Sequence, residues 1–510
     1  MTISAHGRDV MSVSLAAALV FCMLVEPQLI GSLRGQRILE LDLENSVEIA
    51  MGSSYRVKQL EMGIERTRYW LKSRRASLKS KIEMRLRAPE INSTSETKWN
   101  STLQRDELVR SDTRRWQMDL SVSQPLILFG YPTNGYLSLN NKVYRYLQHE
   151  ETDEIDYYNR FFIKFQQPFL LPNNLKNNIE DAELDLERNE LDYITDRVRL
   201  VDDIADDYYD LFEVVSRRTI YENQIANLKL AEQIAIELSA ADSSRAIEPA
   251  QARVELTNVG EQFSRTLSAI RQESARIKQR LQLEYEDSVF ITPTFEIRRI
   301  YVDVNQAIEY GYNLRPSLRR LSINRRKNEI DLNNSKGWDA FHVNLEMTYG
   351  LENIDDQFGN IWNDYDDSYS VSLQAYVPLW DWGRRKARID ANEITLKKTE
   401  LSIEENRTRI RSDIINAVAN LDDYQRRAVN MQESVKMIQE ITDFGMDQYS
   451  NGAISLQDLL QMITRQRETE MNHLDAYLGY RRSLLALMVQ TYYDYENDIS
   501  LIDKFRQQAS

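Results

Sequence analysis

Apolar residues recur along two long stretches of the chain at steps that almost all alternate between three and four positions. In the first stretch they are Leu175, Ile179, Ala182, Leu186, Leu191, Ile194, Val198, Val201, Ala205, Tyr208, Phe212 and Val215. Such spacing is typical of coiled-coil helices. It predicts helices over 172–238 and 385–449, each roughly 100 Å long at 1.5 Å per residue. Shorter helices are predicted over 43–80, 248–286, 303–336 and 455–497.

Between these helical stretches apolar and polar residues alternate, which indicates β-strands. Strands are predicted within about 82–166 and 341–377, where five stretches alternate strictly and a sixth, over 136–147, does so weakly. The polar segments 89–115 and 350–367 are predicted as long loops. Each strand has one apolar and one polar face, as in a tilted membrane strand of 9–11 residues or a half-buried strand of a soluble sheet.

Aromatic residues near the ends of these strands favour the membrane interpretation. They are Trp116, Tyr158, Phe161, Tyr369, Trp380 and Trp382. Membrane barrels carry such aromatic girdles at both lipid interfaces.

The chain contains an internal duplication, with repeats over 40–300 and 301–497. Residues 41–48 resemble 302–309 at an offset of 261, and Pro168 then matches Pro378 at an offset of 210. The difference places 51 additional residues in the first repeat, between about 90 and 165. Any two heptad helices match weakly by chance, but a constant offset that also aligns two prolines favours a true duplication.

The N-terminal residues 1–32 resemble an export signal peptide. Arg8 precedes an apolar run from Met11 to Val25, and cleavage is expected after Ser32. Phe21 before Cys22 argues against lipidation. An uncleaved apolar anchor is the alternative interpretation. Residues 498–510 are predicted as a C-terminal tail.

Composition narrows the function classes. The 510 residues include 16 Gly and 10 Pro, which fits long uninterrupted helices. The formal charge of −15 argues against a nucleic-acid partner, because binding phosphates needs surplus Lys and Arg. One Cys excludes an internal disulfide, and the four His residues lack metal-ligand spacing. We therefore expect no catalytic site, no metal and no cofactor.

Two motifs resemble the TolC-like outer membrane efflux protein family. Residues 377–385, Val-Pro-Leu-Trp-Asp-Trp-Gly-Arg-Arg, are similar to its turn from a strand into the long helix, and residues 449–461 are similar to its helical tip. The first repeat has degenerate counterparts at 167–170 and 240–245. With the order of elements, the likeness covers about residues 40–497.

The resemblance implies an α+β membrane protein, internally duplicated, whose three copies share a transmembrane β-barrel and a long coiled-coil α-helical periplasmic barrel. It implies an outer membrane location with a periplasmic helical domain. The predicted loops would then be extracellular. The family has four strands per subunit, whereas six are predicted here. Either the barrel of the trimer is larger, with up to eighteen strands, or the hairpin at about 116–147 lies outside it.

The resemblance also assigns candidate functional residues. Pro168, Pro378 and Gly383 would form the strand-to-helix turns. Asp458 would constrict the periplasmic entrance, and Gln461 occupies a second position that is acidic in the family. The tips for docking of an adaptor are Asp242, Ser243, Arg245, Asn451, Gly452 and Ile454. Alternatively, Asp458 only stabilises the start of its helix, and the tips are ordinary solvated turns. Acidic residues such as Asp202 are candidates for lining the tunnel, or are simply solvated.

The expected function is the channel of a tripartite efflux or type I secretion system, a passive exit duct. Its partners would be two further copies of the chain, a periplasmic adaptor (membrane fusion) protein, an inner-membrane pump or ABC transporter, and outer membrane lipid. A soluble periplasmic coiled-coil adaptor or scaffold is the alternative. It would explain the heptads but not the alternating strands.

Overall fold

A computed structural model describes residues 38–129, 131–149, 153–284 and 286–507. The predicted export signal and the last three residues of the predicted tail lie outside the described residues. The helices are α1 (Leu43–Ser53), α2 (Tyr55–Ala76), α3 (Asn174–Ala241), α4 (Glu248–Leu281), α5 (Val304–Leu314), α6 (Pro316–Gly337), α7 (Arg384–Ser450), α8 (Leu456–Thr491) and α9 (Leu501–Gln507). The strands are β1 (Ile38–Glu40), β2 (Lys81–Asn100), β3 (Arg105–Leu128), β4 (Tyr131–His149), β5 (Asp153–Phe169), β6 (Ser288–Phe290), β7 (His342–Asp355), β8 (Asp366–Tyr376), β9 (Tyr493–Asp494) and β10 (Ile499–Ser500).

Helices α3 and α7 are the two longest described elements. They contain 68 and 67 residues, so each is roughly 100 Å long. Each follows the last sheet strand of its repeat and leads to a turn and a shorter helix, α4 or α8. The sheet and the two turns therefore lie at opposite ends of the long helices.

Each predicted helix before the sheet is in fact two helices. The break in the first repeat is Ser54, with extended backbone and a side chain that accepts a hydrogen bond from the Arg56 amide at 3.2 Å. The break in the second is Arg315, extended because Pro316 follows. The two breaks differ by 315 − 54 = 261 residues, the offset of the duplication.

The main sheet is antiparallel throughout, in the order β2-β3-β4-β5-β7-β8. Much of the predicted loop 89–115 is strand, because β2 and β3 stay paired out to Asn100 and Arg105. The neighbouring pair β3–β4 ends at Asp112 and His149. The end of the β2–β3 hairpin thus projects beyond the rest of the sheet. Its sequence is mostly polar and lacks the alternation that would have predicted a strand.

The inserted residues of the first repeat add β3 and β4 in the middle of the sheet. The start of β2 corresponds to that of β7 at 342 − 81 = 261. Pro168 in β5 corresponds to Pro378, just after β8. The hairpin predicted at about 116–147 therefore lies between β2 and β5, within one continuous ladder.

The C-terminal region departs from the predicted helix 455–497. Helix α8 ends at Thr491, and Tyr492 has left-handed backbone with φ 57°. The carboxylate of Asp494 then accepts the amides of Glu496 and Asn497. Short strands and α9 follow, and the side chain of Leu501 is buried against α3. The segment predicted as a tail from residue 498 is thus partly folded.

The largest apolar core joins both repeats where the long helices meet their shorter neighbours. Its fully buried members include Ile204, Leu211, Ile410, Ile414 and Tyr480. At the same level, β1 and β6 form a small parallel pair. Of the helices described here, none combines the length and apolar character needed to cross a membrane.

Candidate functional site

The six-stranded sheet presents one apolar face to which every strand contributes. Its members include Ile82, Met84, Leu86, Leu120, Val122, Leu137, Leu139, Ile163, Phe165, Met347, Tyr349, Val371 and Leu373, which lie opposite one another in register. Most of them are exposed in the single chain. The pleat places neighbouring residues on the other face, so the apolar surface follows directly from the alternating sequence.

The opposite face of the sheet is polar and internally paired. The ammonium of Lys164 lies 2.9 Å from the carboxylate of Glu346, and the guanidinium of Arg160 lies 3.5 Å from that of Glu352. Tyr158, predicted to belong to the aromatic girdle, lies on this polar face. Its hydroxyl donates to Glu352 and its ring stacks on Tyr144 at 4.7 Å.

Two asparagines interrupt the apolar face, and the β7–β8 loop covers them. The Asn141 side chain donates to that of Asn159 at 2.7 Å. Asn159, with 0% of its surface exposed, donates to the Ile361 carbonyl and to the Tyr365 hydroxyl. These amides are therefore satisfied inside the protein, as a face turned to a nonpolar medium requires.

Aromatic side chains lie near both ends of the apolar face. At the end far from the long helices, the ring centroids of Phe161 and Trp362 lie 6.3 Å apart. The Arg145 guanidinium lies 5.1 Å from the centroid of the Trp116 ring. At the near end, Trp380 and Trp382 pack edge to face at 5.6 Å. Tyr369 is exposed on β8. These five of the six predicted girdle residues lie on the apolar face or beside the sheet ends.

The turn into α7 is built around an aspartate and a glycine. The Asp381 carboxylate accepts the amides of Gly383 and Arg385 at 2.9 and 2.8 Å. Gly383 has φ 80°, a left-handed conformation that glycine adopts at little cost. Pro378 precedes this turn, and its counterpart Pro168 lies near the end of β5. In the first repeat the side chain of Asn173 instead caps α3.

The tip between α3 and α4 is a single 3-10 turn, Ser243–Arg245. The Asp242 carboxylate accepts the Ser244 amide at 2.9 Å. Hydrogen bonds from Ser244 hold the pKa of Asp242 below its ordinary value. Asp242, Ser243 and Ser244 are exposed.

The tip between α7 and α8 turns at Gly452, where φ is 74°. The Asn451 side chain donates to the Asp447 carbonyl at 2.9 Å and closes the end of α7. Asn451 and Gly452 are exposed, and Ile454 packs partly against the core of the tips.

Asp458 forms a capping box with Ser455 at the start of α8. The Ser455 hydroxyl accepts the Asp458 amide at 3.2 Å, and the Asp458 carboxylate accepts the Ser455 hydroxyl at 2.7 Å. The carboxylate and Gln461 are both exposed. The structure therefore gives Asp458 the helix-stabilising role that the sequence offered as an alternative, and leaves its charge in solvent.

The two tips are joined by a contact that the sequence motifs do not reveal. Tyr449, with 0% of its surface exposed, donates its hydroxyl to the Glu248 carboxylate at 2.8 Å. The Arg245 guanidinium lies 5.9 Å from the Tyr449 ring and 3.8 Å from Glu248. Burial and the carboxylate raise the pKa of Tyr449 well above its ordinary value. The partners are 201 residues apart, so only the fold brings them together.

Most of the acidic residues on α3 are paired with neighbouring helices. Arg280 lies 2.7 Å from Asp207 and 3.4 Å from Asp203. Asp210 binds Arg276 and Arg482. These contacts give Asp203, Asp207 and Asp210 a structural role. That acidic residues such as Asp202 line a tunnel stays a prediction. Within the described ranges no group of three or more His, Cys, Asp or Glu residues is arranged to hold a metal ion.

Residues 315–490, from α6 through the second tip to the end of α8, match the sequence model of the family described as Outer membrane efflux protein. This part of the chain is similar to an outer membrane efflux protein domain. The match confirms the family resemblance found in the sequence. It includes Gly383 and Asp458, whereas the first tip lies outside the matched range. Members of this efflux protein family are channels rather than enzymes.

Solved outer membrane channels share the fold of this chain. The CmeC outer membrane channel of Campylobacter jejuni is 13% identical, with a TM-score of 0.65, covering 92% of this chain and 89% of that one. VceC of Vibrio cholerae is 12% identical, with a TM-score of 0.61 and coverage of 88% and 95%. The MtrE outer membrane channel of Neisseria gonorrhoeae is 12% identical, with a TM-score of 0.61 and coverage of 88% for both. No curated protein sequence matches.

Proposed function

We propose that the chain is the outer membrane channel of a tripartite efflux or type I secretion system. Three copies form a passive duct through the outer membrane and the periplasm. A periplasmic adaptor docks at the exposed tips, and an inner-membrane pump or ABC transporter supplies the energy. The family match of residues 315–490 and the shared channel fold support this function.

The two-faced sheet is the observation that carries the proposal. An exposed apolar surface contributed by all six strands is unfavourable in water, since burial of apolar area contributes about 25 cal/mol per Å². A polar face on the other side, lined by Lys164, Glu346 and Arg160, suits a water-filled interior. This is the arrangement of strands that separate lipid from an aqueous channel.

The long helices supply the periplasmic part of the duct. They extend roughly 100 Å from the sheet to the tips, and the exposed carboxylate of Asp458 lies at the far end. Three copies of Asp458 around one axis would form a negative ring at the mouth. Such a ring raises the local concentration of cations and repels anions.

A matched pair of substitutions on β4 tests the membrane assignment. Leu139 lies on the apolar face and Ser138 on the polar face. Arginine on the lipid side of a membrane sheet costs about 2–4 kcal/mol near the midplane. We expect Leu139→Arg to reduce the amount of protein recovered in outer membranes and Ser138→Arg to leave it nearly unchanged.

Fractionation and planar-bilayer conductance of the unsubstituted protein complete the test. Recovery in outer membranes and ion conductance are expected. Recovery in the soluble periplasm, with no conductance, would support a soluble coiled-coil scaffold instead.

A further inference from the structure

The two outer strands of the sheet have compatible free edges. Among the described residues, β2 pairs only with β3 and β8 only with β7. The strands alternate in direction, so β2 runs away from the long helices and β8 runs back towards them. Two copies can therefore join β8 to β2 as one more antiparallel pair. In lipid such edges must be paired, because no water satisfies their backbone groups.

The duplication predicts the register of this junction. Inside one chain β5 pairs with β7 so that paired residue numbers add to 512, as in Phe165 with Met347. Strand β8 corresponds to β5 at an offset of 210, and β2 corresponds to β7 at an offset of 261. The equivalent pair between copies would then have numbers that add to 512 + 210 − 261 = 461.

This register aligns apolar side chains of one face. It places Ala375 opposite Leu86, Val377 opposite Met84 and Leu379 opposite Ile82. Val377 and Leu379 continue the alternation of β8 beyond Tyr376, and 88% of the Leu379 surface is exposed in the single chain. A slip by one residue would place these side chains on opposite faces of the sheet. The apolar residues therefore share one face only in registers whose paired residue numbers add to an odd total, as 461 does.

The duplication also relates a buried surface of α6 to an exposed surface of α2. Ile323 and Ile330 on α6 are buried where α6 packs against α7 and α3. Their counterparts 261 residues earlier, Met62 and Tyr69 on α2, are exposed. The exposed surface of α2 is therefore the one that a second copy would cover, on the same side of the molecule as β2.

We propose that three copies close one sheet of eighteen strands. In this sheet β8 of each copy pairs with β2 of the next, in the register in which paired residue numbers add to 461. This deepens the proposed function and rests on it, since the trimer belongs to that function. A ring of twelve would need β2 beside β5, but β3 and β4 lie between them. Barrel diameter grows roughly linearly with strand number, so the interior is about 1.5 times as wide as in a twelve-stranded ring, and barrels of this size leave an aqueous channel.

Pairs of cysteines test the junction in a chain whose one Cys is removed by Cys22→Ser. The test variant carries Met84→Cys and Val377→Cys. Directly opposed residues have Cβ atoms about 4.5–5.5 Å apart, within reach of a disulfide after slight adjustment. Oxidation in outer membranes is expected to give covalent dimers and trimers on a denaturing gel without reductant.

Two further variants serve as controls. Met84→Cys with Leu373→Cys moves one partner by four residues, about 13 Å along the strand, and is expected to give no covalent oligomer. Met84→Cys with Leu120→Cys joins residues that are opposite each other inside one chain, and is expected to give an intrachain bond alone.

The possible results separate this proposal from the proposed function. If the Met84–Leu120 variant forms its intrachain bond but the Met84–Val377 variant gives no oligomers, the proposed junction is wrong. Conductance that persists in this case leaves the proposed function standing. An intrachain bond between Met84→Cys and Ile163→Cys would place β2 beside β5 and overturn the eighteen strands. Absence of both conductance and outer membrane recovery in the Cys22→Ser chain overturns the proposed function itself.

Discussion

At the scale of single residues, one carboxylate can serve both the fold and the passage of ions. Asp458 caps α8 through Ser455 while it stays exposed at the tip. The capping role depends on its hydrogen bond with Ser455, and the electrostatic role depends only on the charge. Substitution of the partner therefore separates the two.

We expect Asp458→Ala to lower both the stability of the tip and the preference of the channel for cations. Ser455→Ala removes the N-cap hydroxyl of the same capping box but keeps the Asp458 charge, so the preference for cations should remain. Loss of an N-terminal cap costs about 0.5–2 kcal/mol. Reversal potentials in asymmetric salt measure the preference. Equal reversal potentials in both variants and the unsubstituted channel would assign Asp458 to the cap alone.

Asp202 on α3 is a second residue whose charge should be measurable. Its partial burial, together with Asp206 and Asp203, raises the pKa of this carboxyl to about 6 from an ordinary value of 3.8. The folded state thus favours the protonated form, and stability is lost as the pH rises from about 4 to about 6. We expect Asp202→Asn to raise the melting temperature at pH 7.5 and to have little effect near pH 4.

Asp203→Asn is the matched control for this change. Asp203 is paired with Arg280, so its neutralisation removes an attractive contact and should not raise the melting temperature. An increase of the same size in both variants would point to a general effect of net charge.

At the scale of elements, glycines determine how closely the helices approach. A Cβ atom on Gly479 of α8 would lie 2.2 Å from a ring carbon of Tyr424 on α7. Gly260 of α4 has no atom within 4 Å of the equivalent position. The same substitution should therefore act in opposite directions at the two sites.

We expect Gly479→Ala to destabilise the protein by about 1–3 kcal/mol, because the Tyr424 ring must move. Gly260→Ala should stabilise it by about 0.5–1 kcal/mol, since alanine loses less backbone entropy in a helix. Denaturant unfolding of the detergent-solubilised protein measures both. A stabilised Gly479→Ala variant would contradict the close packing of α7 and α8.

The elements also show what the sequence pattern reveals and what it does not. The strands were predictable where apolar and polar residues alternate strictly, as at Leu120 and Val122, whereas the alternation over 136–147 in β4 is weak. The pattern predicts a loop at the projecting end of the β2–β3 hairpin, because most residues on both of its faces are polar. The break at Arg315 follows a rule for residues before proline, whereas the break at Ser54 becomes visible only through the offset of 261. The contact of Tyr449 with Glu248 depends on long-range packing.

At the scale of the whole molecule, the duplication provides more than a sequence likeness. The equivalence of β5 with β8 and of β2 with β7 relates a contact inside one chain to a contact between chains. The same relation connects the buried Ile323 with the exposed Met62. In the proposed trimer, the six-stranded sheet with its two free edges is one third of a closed structure, and the cysteine pairs proposed above examine that closure directly.

The inserted hairpin has a consequence for how such ducts diversify. A hairpin leaves and rejoins a sheet at the same end, so adding β3 and β4 preserves the alternating strand directions and leaves the long helices in place. In the proposed channel, the width of the barrel and the length of the helical part are then encoded by separate parts of the gene. Evolution can widen the bore in steps of two strands per copy while the distance spanned, and the tips that face other proteins, stay as they were.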